Sequence, residues 1–279
     1  MKVPSSALVA AAAVLGLAAC SSSSPVATRA TPTGPSVAPA PALLNIGVGD
    51  TAITAPDSVP AGFTKVVVTA AGSTRAHIAL ELLAPGVTFD HVEKATSQEQ
   101  DKLATIIGGN GSVNPGLSTT VYFDLPAGNY EIVQLTQADG HSPTHRLVAT
   151  ATSGTPARAP AARGNIVLKG DVIALASGFD GQGTWQVTNT DAKDDHEATL
   201  LKIAPGKTVR DIVSYFKSST RQGRPPMTAM GGMGDLRPGR SGYMTVQLSP
   251  GSYALACFAP DQNGIPHVAM GMITGFQVA

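Results

Sequence analysis

The chain has 279 residues, with 19 Lys and Arg balanced by 19 Asp and Glu, so its formal net charge at pH 7 is zero. That balance excludes a large basic surface for nucleic acid. The sequence holds no G-x-S-x-G, H-E-x-x-H or glycine-rich phosphate loop, so no enzyme signature is expected.

The first element is a leader. MKVPSSALVAAAAVLGLAAC carries one early positive charge, Lys2, and a run of small apolar residues from Ala7 to Ala19. The run is too short to remain as a membrane-spanning helix and has the build of a signal peptide over residues 1–19. Leu17-Ala18-Ala19-Cys20 resembles the lipobox of a bacterial lipoprotein. The resemblance implies cleavage before Cys20, acylation there (palmitate among the chains), and anchoring to the outer face of the cell membrane, or to the outer membrane of a diderm cell. Residues 20–43 form the next segment. From Ser21 to Ala42 it is rich in Ser, Pro, Ala and Thr and nearly uncharged, which is expected to behave as a disordered tether of roughly 25 Å reach.

The rest repeats itself. STTVYFDLPAGNYEIVQ, Ser118 to Gln134, matches SGYMTVQLSPGSYALAC, Ser241 to Cys257, without a gap. LLAPGVTFDHV (Leu82 to Val92) matches KIAPGKTVRDIV (Lys202 to Val213), and NIGVGD at Asn45 matches NIVLKGD at Asn165. A period of about 120 residues is domain-sized rather than a solenoid unit. Domains are therefore expected at 44–153 and 165–279, joined by a Pro/Ala/Gly linker at 154–164.

Within each copy the signals are mostly β. Thr64 to Thr69, Val121 to Leu125, Thr184 to Thr188 and Met244 to Leu248 are short runs rich in β-branched or aromatic residues, and PAG or SPG turns lead into NYEIVQL and SYALACF. One helix per copy is predicted, over His91 to Ile107 and over Val209 to Phe216. Short strands separated by Gly/Pro turns predict an all-β fold of two β-sandwiches, each with one inserted helix. Lys217, Arg221, Arg224, Arg237 and Arg240, opposed mainly by Asp235, form a local basic run. It reads as a solvated loop, with a docking patch for an acidic partner as the alternative.

The chemistry concentrates near the C-terminus. Alternation in SYALACF places Tyr253, Leu255 and Cys257 on one face of a strand. Cys257 is the only cysteine besides Cys20, His267 follows across a loop, and Met270 and Met272 come next. Upstream, His196 stands a few residues after Asn189 at the start of a strand. This order, a histidine after a V-x-N strand, then a Gly-x-Tyr-x-x-x-Cys strand, a loop, a histidine and a methionine, resembles the cupredoxins, the plastocyanin/azurin-like blue copper superfamily. The resemblance implies Greek-key sandwiches and copper held by His196, Cys257, His267 and Met272, with Met270 in reserve. It also implies a role in electron transfer or copper handling with a redox or copper-donor protein as partner. Two imidazoles, a thiolate and a distant thioether are the donor set of electron-transfer copper sites.

Two features depart from that pattern. Nine residues separate Cys257 from His267, and His196 sits in Asp194-Asp195-His196-Glu197, where carboxylates are expected to raise its pKa. The first copy lacks the site: Gln134 stands in the place of Cys257 and Ala76 in that of His196, with His77 one position off. His141 and His145 lie near the place of His267, but no methionine follows. Met227, Met230 and Met233 form a weaker soft-ligand candidate for Cu(I) storage. The rival to all of these is a metal-free β-sandwich module that binds partners in the cell envelope.

Overall fold

The computed structural model describes residues 39–95, 99, 102–135 and 143–279. The leader, Cys20, His141 and most of the tether lie outside the described residues. Among the described residues no helix is long and apolar enough to cross a membrane.

The first copy contributes β1 (Ala42–Val48), β2 (Ile53–Thr54), β3 (Ser58–Pro60), β4 (Gly62–Ala70), β5 (Ile78–Leu83), α1 (Phe89–Lys94), β6 (Ala104–Gly109), β7 (Ser118–Leu125), β8 (Gly128–Gln134) and β9 (Thr144–Thr150). The second contributes β10 (Asn165–Lys169), β11 (Val172–Ala174), β12 (Gln182–Asn189), β13 (His196–Ile203), α2 (Val209–Lys217), β14 (Met227–Leu236), β15 (Ser241–Gln247), β16 (Gly251–Ala256), α3 (His267–Met270) and β17 (Ile273–Val278). The fold is all-β with short helices, as expected. Two sequence boundaries shift. Ala42 and Leu43, counted with the tether on composition, are the first residues of β1. Of the helix expected over His91 to Ile107, α1 ends at Lys94, Glu99, Lys102 and Leu103 are again helical, and Ala104 to Ile107 belong to β6. That strand packs close: a Cβ on Gly109 would sit 2.0 Å from the Ile78 carbonyl oxygen.

One sheet runs through both halves in the order β11-β10-β12-β15-β7-β4-β1-β2. Two smaller sheets complete the architecture, β3-β9-β8-β5-β6 from the first half and β14-β13-β16-β17 from the second. Strand alternation builds the core between the layers. In β4, Thr64, Val66, Val68 and Ala70 point inward; in β12, Trp185, Val187 and Asn189 do. Their apolar members join Tyr130, Ile132, Tyr253, Leu255 and Cys257 from the smaller sheets in one cluster. The opposite face of β16, Ala254 and Ala256, packs with Ile212 of α2 and Val268 of α3 in a second cluster.

The halves meet in a symmetric register. Val121 of β7 lies opposite Met244 of β15, with Tyr122 opposite Tyr243 and Thr120 opposite Thr245. Val121 and Met244 are the fourth residues of the two matched segments, so the central residue pairs with its own counterpart. This is an isologous contact within one chain.

The repeated motifs have repeated jobs. In APGVT and APGKT the glycines, Gly86 and Gly206, take φ of 82° and 73°. Thr88 and Thr208 then cap α1 and α2, each accepting a hydrogen bond from the backbone N–H three residues on, which satisfies a donor the helix leaves free. PAG and SPG carry the chain from the long sheet across to the small one. At that corner Tyr130 donates its hydroxyl hydrogen bond to the Pro126 carbonyl at 2.8 Å, and Tyr253 does the same to Ser249 at 2.9 Å. The expected result for Tyr253→Phe is a loss of about 1 kcal/mol of stability, since a partly buried hydrogen bond is removed. A shift of the urea midpoint with unchanged slope checks it.

Candidate metal centre

Three elements deliver three side chains to one point. His196 opens β13, Cys257 follows the last residue of β16, and His267 begins α3. Both imidazoles turn Nδ1 inward. His196 Nδ1 and His267 Nδ1 are 3.2 Å apart, and Cys257 Sγ lies 3.4 Å from the latter and 3.8 Å from the former. Three atoms at these separations lie on a circle of about 2 Å radius, close to the bond length of a first-row ion to imidazole nitrogen and slightly short for thiolate. All three residues are buried, and Cys257 forms no disulfide.

The long loop closes by folding on itself. The Asp261 carboxylate accepts backbone N–H groups from Asn263 and Ile265, both at 2.8 Å, and its own N–H donates to the Ile265 carbonyl at 2.9 Å. The surplus residues thus form a small turn, as Asp, Asn and Gly in sequence favour. At its base the His267 N–H donates to the Ala259 carbonyl at 3.0 Å, which returns the imidazole to Cys257. The Val268 N–H donates to the Cys257 carbonyl at 2.6 Å.

Gly271, at φ 115°, then reverses the chain in a conformation that L side chains rarely adopt. The Met272 N–H reaches the His267 carbonyl at 3.0 Å, and the Cys257 N–H donates to the Met272 carbonyl at 3.1 Å. Met272 is fully buried in the cluster that holds Cys257, whereas Met270 is 42% exposed. Met227 and Met233 are not brought together. They lie at opposite ends of MTAMGGM on β14, opposite Ile203 and Ala198 of β13; Met227 belongs to the second apolar cluster, Met233 to the first, and Met230 packs against the first.

The surroundings set the protons. The expectation that carboxylates raise the His196 pKa is overturned: burial holds it below 6.5, and the nearby Asp191, which favours the charged ring, does not reverse this. Asp191 stands 3.5 Å from His196 Nε2. A proton held on Nε2 toward that anion leaves Nδ1 as a lone pair facing the centre. Sequence reasoning missed Asp191. It is held by the N–H groups of Gly170 and Lys193 at 2.8 and 3.0 Å, which keep its carboxyl well below the usual range. Asn189, buried at the end of β12, fixes the same loop by donating to the Asp194 and Leu236 carbonyls and accepting the Asp191 N–H.

Cys257 is shaped by its neighbour Glu197. The Glu197 N–H donates to Sγ at 3.4 Å, and its carboxylate accepts the Phe258 N–H at 2.6 Å. Burial, reinforced by Glu197, pushes the thiol pKa far up, so the sulfur keeps its proton until a cation replaces it. Burial and the Asp235 charge likewise push the Glu197 carboxyl well above the usual range. Two imidazole nitrogens around a thiol that ionises only beside a cation suit a soft or borderline metal ion.

The first half keeps the scaffold and fills the place differently. Ala79 opposite Val133 and Thr199 opposite Ala256 give β5 on β8 the same register as β13 on β16. Ala76 thus takes the position of His196 and Gln134 that of Cys257. The Gln134 side chain accepts the His77 N–H at 3.0 Å and donates to the Arg75 carbonyl at 2.7 Å. His145, on β9, lies 3.4 Å from the Asp57 carboxylate.

No family model matches the chain, and no curated protein does. Among solved structures it is similar to dithionite-reduced auracyanin from the photosynthetic bacterium Roseiflexus castenholzii, at 19% identity over 40% of this chain and 99% of that one, with a TM-score of 0.29. It is also similar to a multicopper oxidase from Campylobacter jejuni, at 10% identity over 85% of this chain and 64% of that one, TM-score 0.24. A copper-containing nitrite reductase from Thermus scotoductus is likewise similar, at 10% identity over 85% and 61%, TM-score 0.21. These likenesses are distant and say nothing about this chain's own chemistry.

In the metal-free protein, NMR titration of the imidazole protons should give midpoints below 6.5 for His196 and His77, both depressed by burial. Asp191→Asn should lower the His196 midpoint further, because it removes the anion that favours the charged ring.

Proposed function

We propose that this chain is an exported, lipid-anchored electron carrier of the cupredoxin kind, built from two sandwich domains, with one copper ion in the second. The observation that carries the reading is the triangle of His196 Nδ1, His267 Nδ1 and Cys257 Sγ, sized for one first-row ion. Met272, buried and tied by its backbone to both Cys257 and His267, would be the fourth residue to hold the ion. Copper bound there supplies one-electron exchange between Cu(II) and Cu(I).

The protein's own part is to hold the ligands still. The Glu197 N–H steadies the sulfur, Asp191 orients the His196 ring, and the hydrogen-bonded turn from Ala259 to His267 fixes the second imidazole. Sealing the donors in the core excludes water as a competing ligand. Dispersal of the β14 methionines favours a carrier of one ion over a copper store. The leader and Cys20 support export and anchoring, and the partner is then another redox protein of the envelope.

The purified protein loaded with Cu(II) should be intensely blue and hold one copper per chain. Cys257→Ser should be colourless. Failure of the native chain to bind copper or develop colour would favour the metal-free interaction module. Asp191→Asn should still bind, with affinity reduced about 10–100-fold, measured by competition with a chelator of known strength. In the producing cell, Cys20→Ser should move the protein from the membrane fraction to the soluble one, read by immunoblot.

A further inference from the structure

Regular strand pairing stops short of Glu197. On one side β13 pairs with β16 only as far as Thr199 opposite Ala256. On the other, the register of β13 on β14 slips between His196 and Ala198, with Glu197 at the slip. Such an irregularity breaks the ladder locally. Glu197 makes its own contacts instead. Its Oε1 accepts the Phe258 N–H at 2.6 Å, and its N–H donates to Cys257 Sγ at 3.4 Å. Phe258 leads into Ala259, whose carbonyl receives the His267 N–H. The other carboxyl oxygen of Glu197, Oε2, faces His77 Nε2 of the first half at 3.6 Å. Both atoms are sealed from solvent, without a hydrogen-bond partner among the described residues. His77 is itself held at both ends of its main chain. Its N–H donates to Gln134 Oε1 at 3.0 Å, and its carbonyl accepts the Leu135 N–H at 2.7 Å. Gln134 stands where the repeat places Cys257.

We propose that His77 is a positioning residue for the metal centre: from the first half it holds the Glu197 side chain, and through Glu197 it steadies the Cys257 sulfur and the base of the loop that carries His267. A 3.6 Å separation is contact rather than a good hydrogen bond, so His77 acts by setting a polar edge against Oε2. A buried oxygen left against carbon alone is costly. Without that edge the carboxyl gains by turning away, and the Phe258 N–H is released. Polar groups behind metal ligands set ligand orientation in this manner. The half without the donor set thus remains part of the site. The bearing on metal binding rests on the copper reading, whereas the contacts themselves do not.

The test is nuclear magnetic resonance of the purified, metal-free protein. In His77→Phe the Phe258 amide should exchange with deuterium about tenfold faster than in the native chain, and the Glu197 and Phe258 amide protons should both move upfield. His77→Gln, which keeps a polar edge, should stay within about threefold of the native exchange rate. Thr119→Val removes a hydrogen bond to the Gly232 N–H elsewhere between the halves and should leave both amides unmoved. Far-UV circular dichroism confirms that each variant is folded. Unchanged amides in folded His77→Phe would overturn the proposal. So would equal changes in His77→Gln, or in Thr119→Val, which would reduce His77 to general packing between the halves. Should His77→Phe fail to fold, the native protein decides: a nuclear Overhauser effect between the His77 ring and the Glu197 side chain is expected, and its absence would overturn the proposal. Because no metal is added, amide changes in a chain that takes no copper sink the copper reading alone, and a blue protein whose amides ignore His77 sinks this proposal alone.

Discussion

Withdrawal of one thiol from water, together with two imidazoles, is the constraint around which the second half is arranged. Burial raises the Cys257 pKa and lowers that of His196, so these two donors carry little charge until a cation enters. An ion that replaces the thiol proton meets a thiolate in a poorly screened setting, where attraction is strong. The backbone supplies the geometry. Cys257, His267, Val268 and Met272 exchange main-chain hydrogen bonds around a glycine-capped turn, so ligand placement is set by hydrogen bonds as much as by side-chain packing.

The two halves show how one scaffold serves two ends. Both have a tyrosine bonded back across the sheet-to-sheet corner, a threonine-capped helix after APG, and the same strand register. The residues at the strand mouth differ. Where the second half has His196 and Cys257, the first has Ala76 and a glutamine whose amide ties neighbouring backbone together. The first half nonetheless reaches toward the second, because His77 faces Glu197, whose main chain touches the sulfur.

Much of this was legible in the sequence where the information is local. Alternation in SYALACF put Cys257 on the core face with Tyr253 and Leu255, and the structure agrees. The spacing in VRDIVSYFK gave α2 nearly to the residue. The fold class followed from the turn chemistry between short β-branched runs. Long-range effects were not legible. The acidic run beside His196 suggested a charged ring, because a linear reading counts nearby carboxylates but not lost water. The ten-residue step from Cys257 to His267 looked too long until Asp261 was seen to gather the surplus into a turn. ATIIGG continued a helical pattern on paper, yet its glycines give the close approach to β5 and Phe123 that a strand needs. Asp191 and the His77–Glu197 contact join residues far apart in the chain, and no spacing rule announces them.

The self-matching register of β7 on β15 has an architectural consequence. A segment that pairs with its own counterpart about a local two-fold axis has the geometry of a homodimer whose subunits were later spliced end to end. Either half produced by itself would present that strand as a bare edge with unpaired amides and carbonyls. The natural remedy is a second copy in the same alignment, so an isolated half is better regarded as one protomer of a pair than as a free-standing monomer.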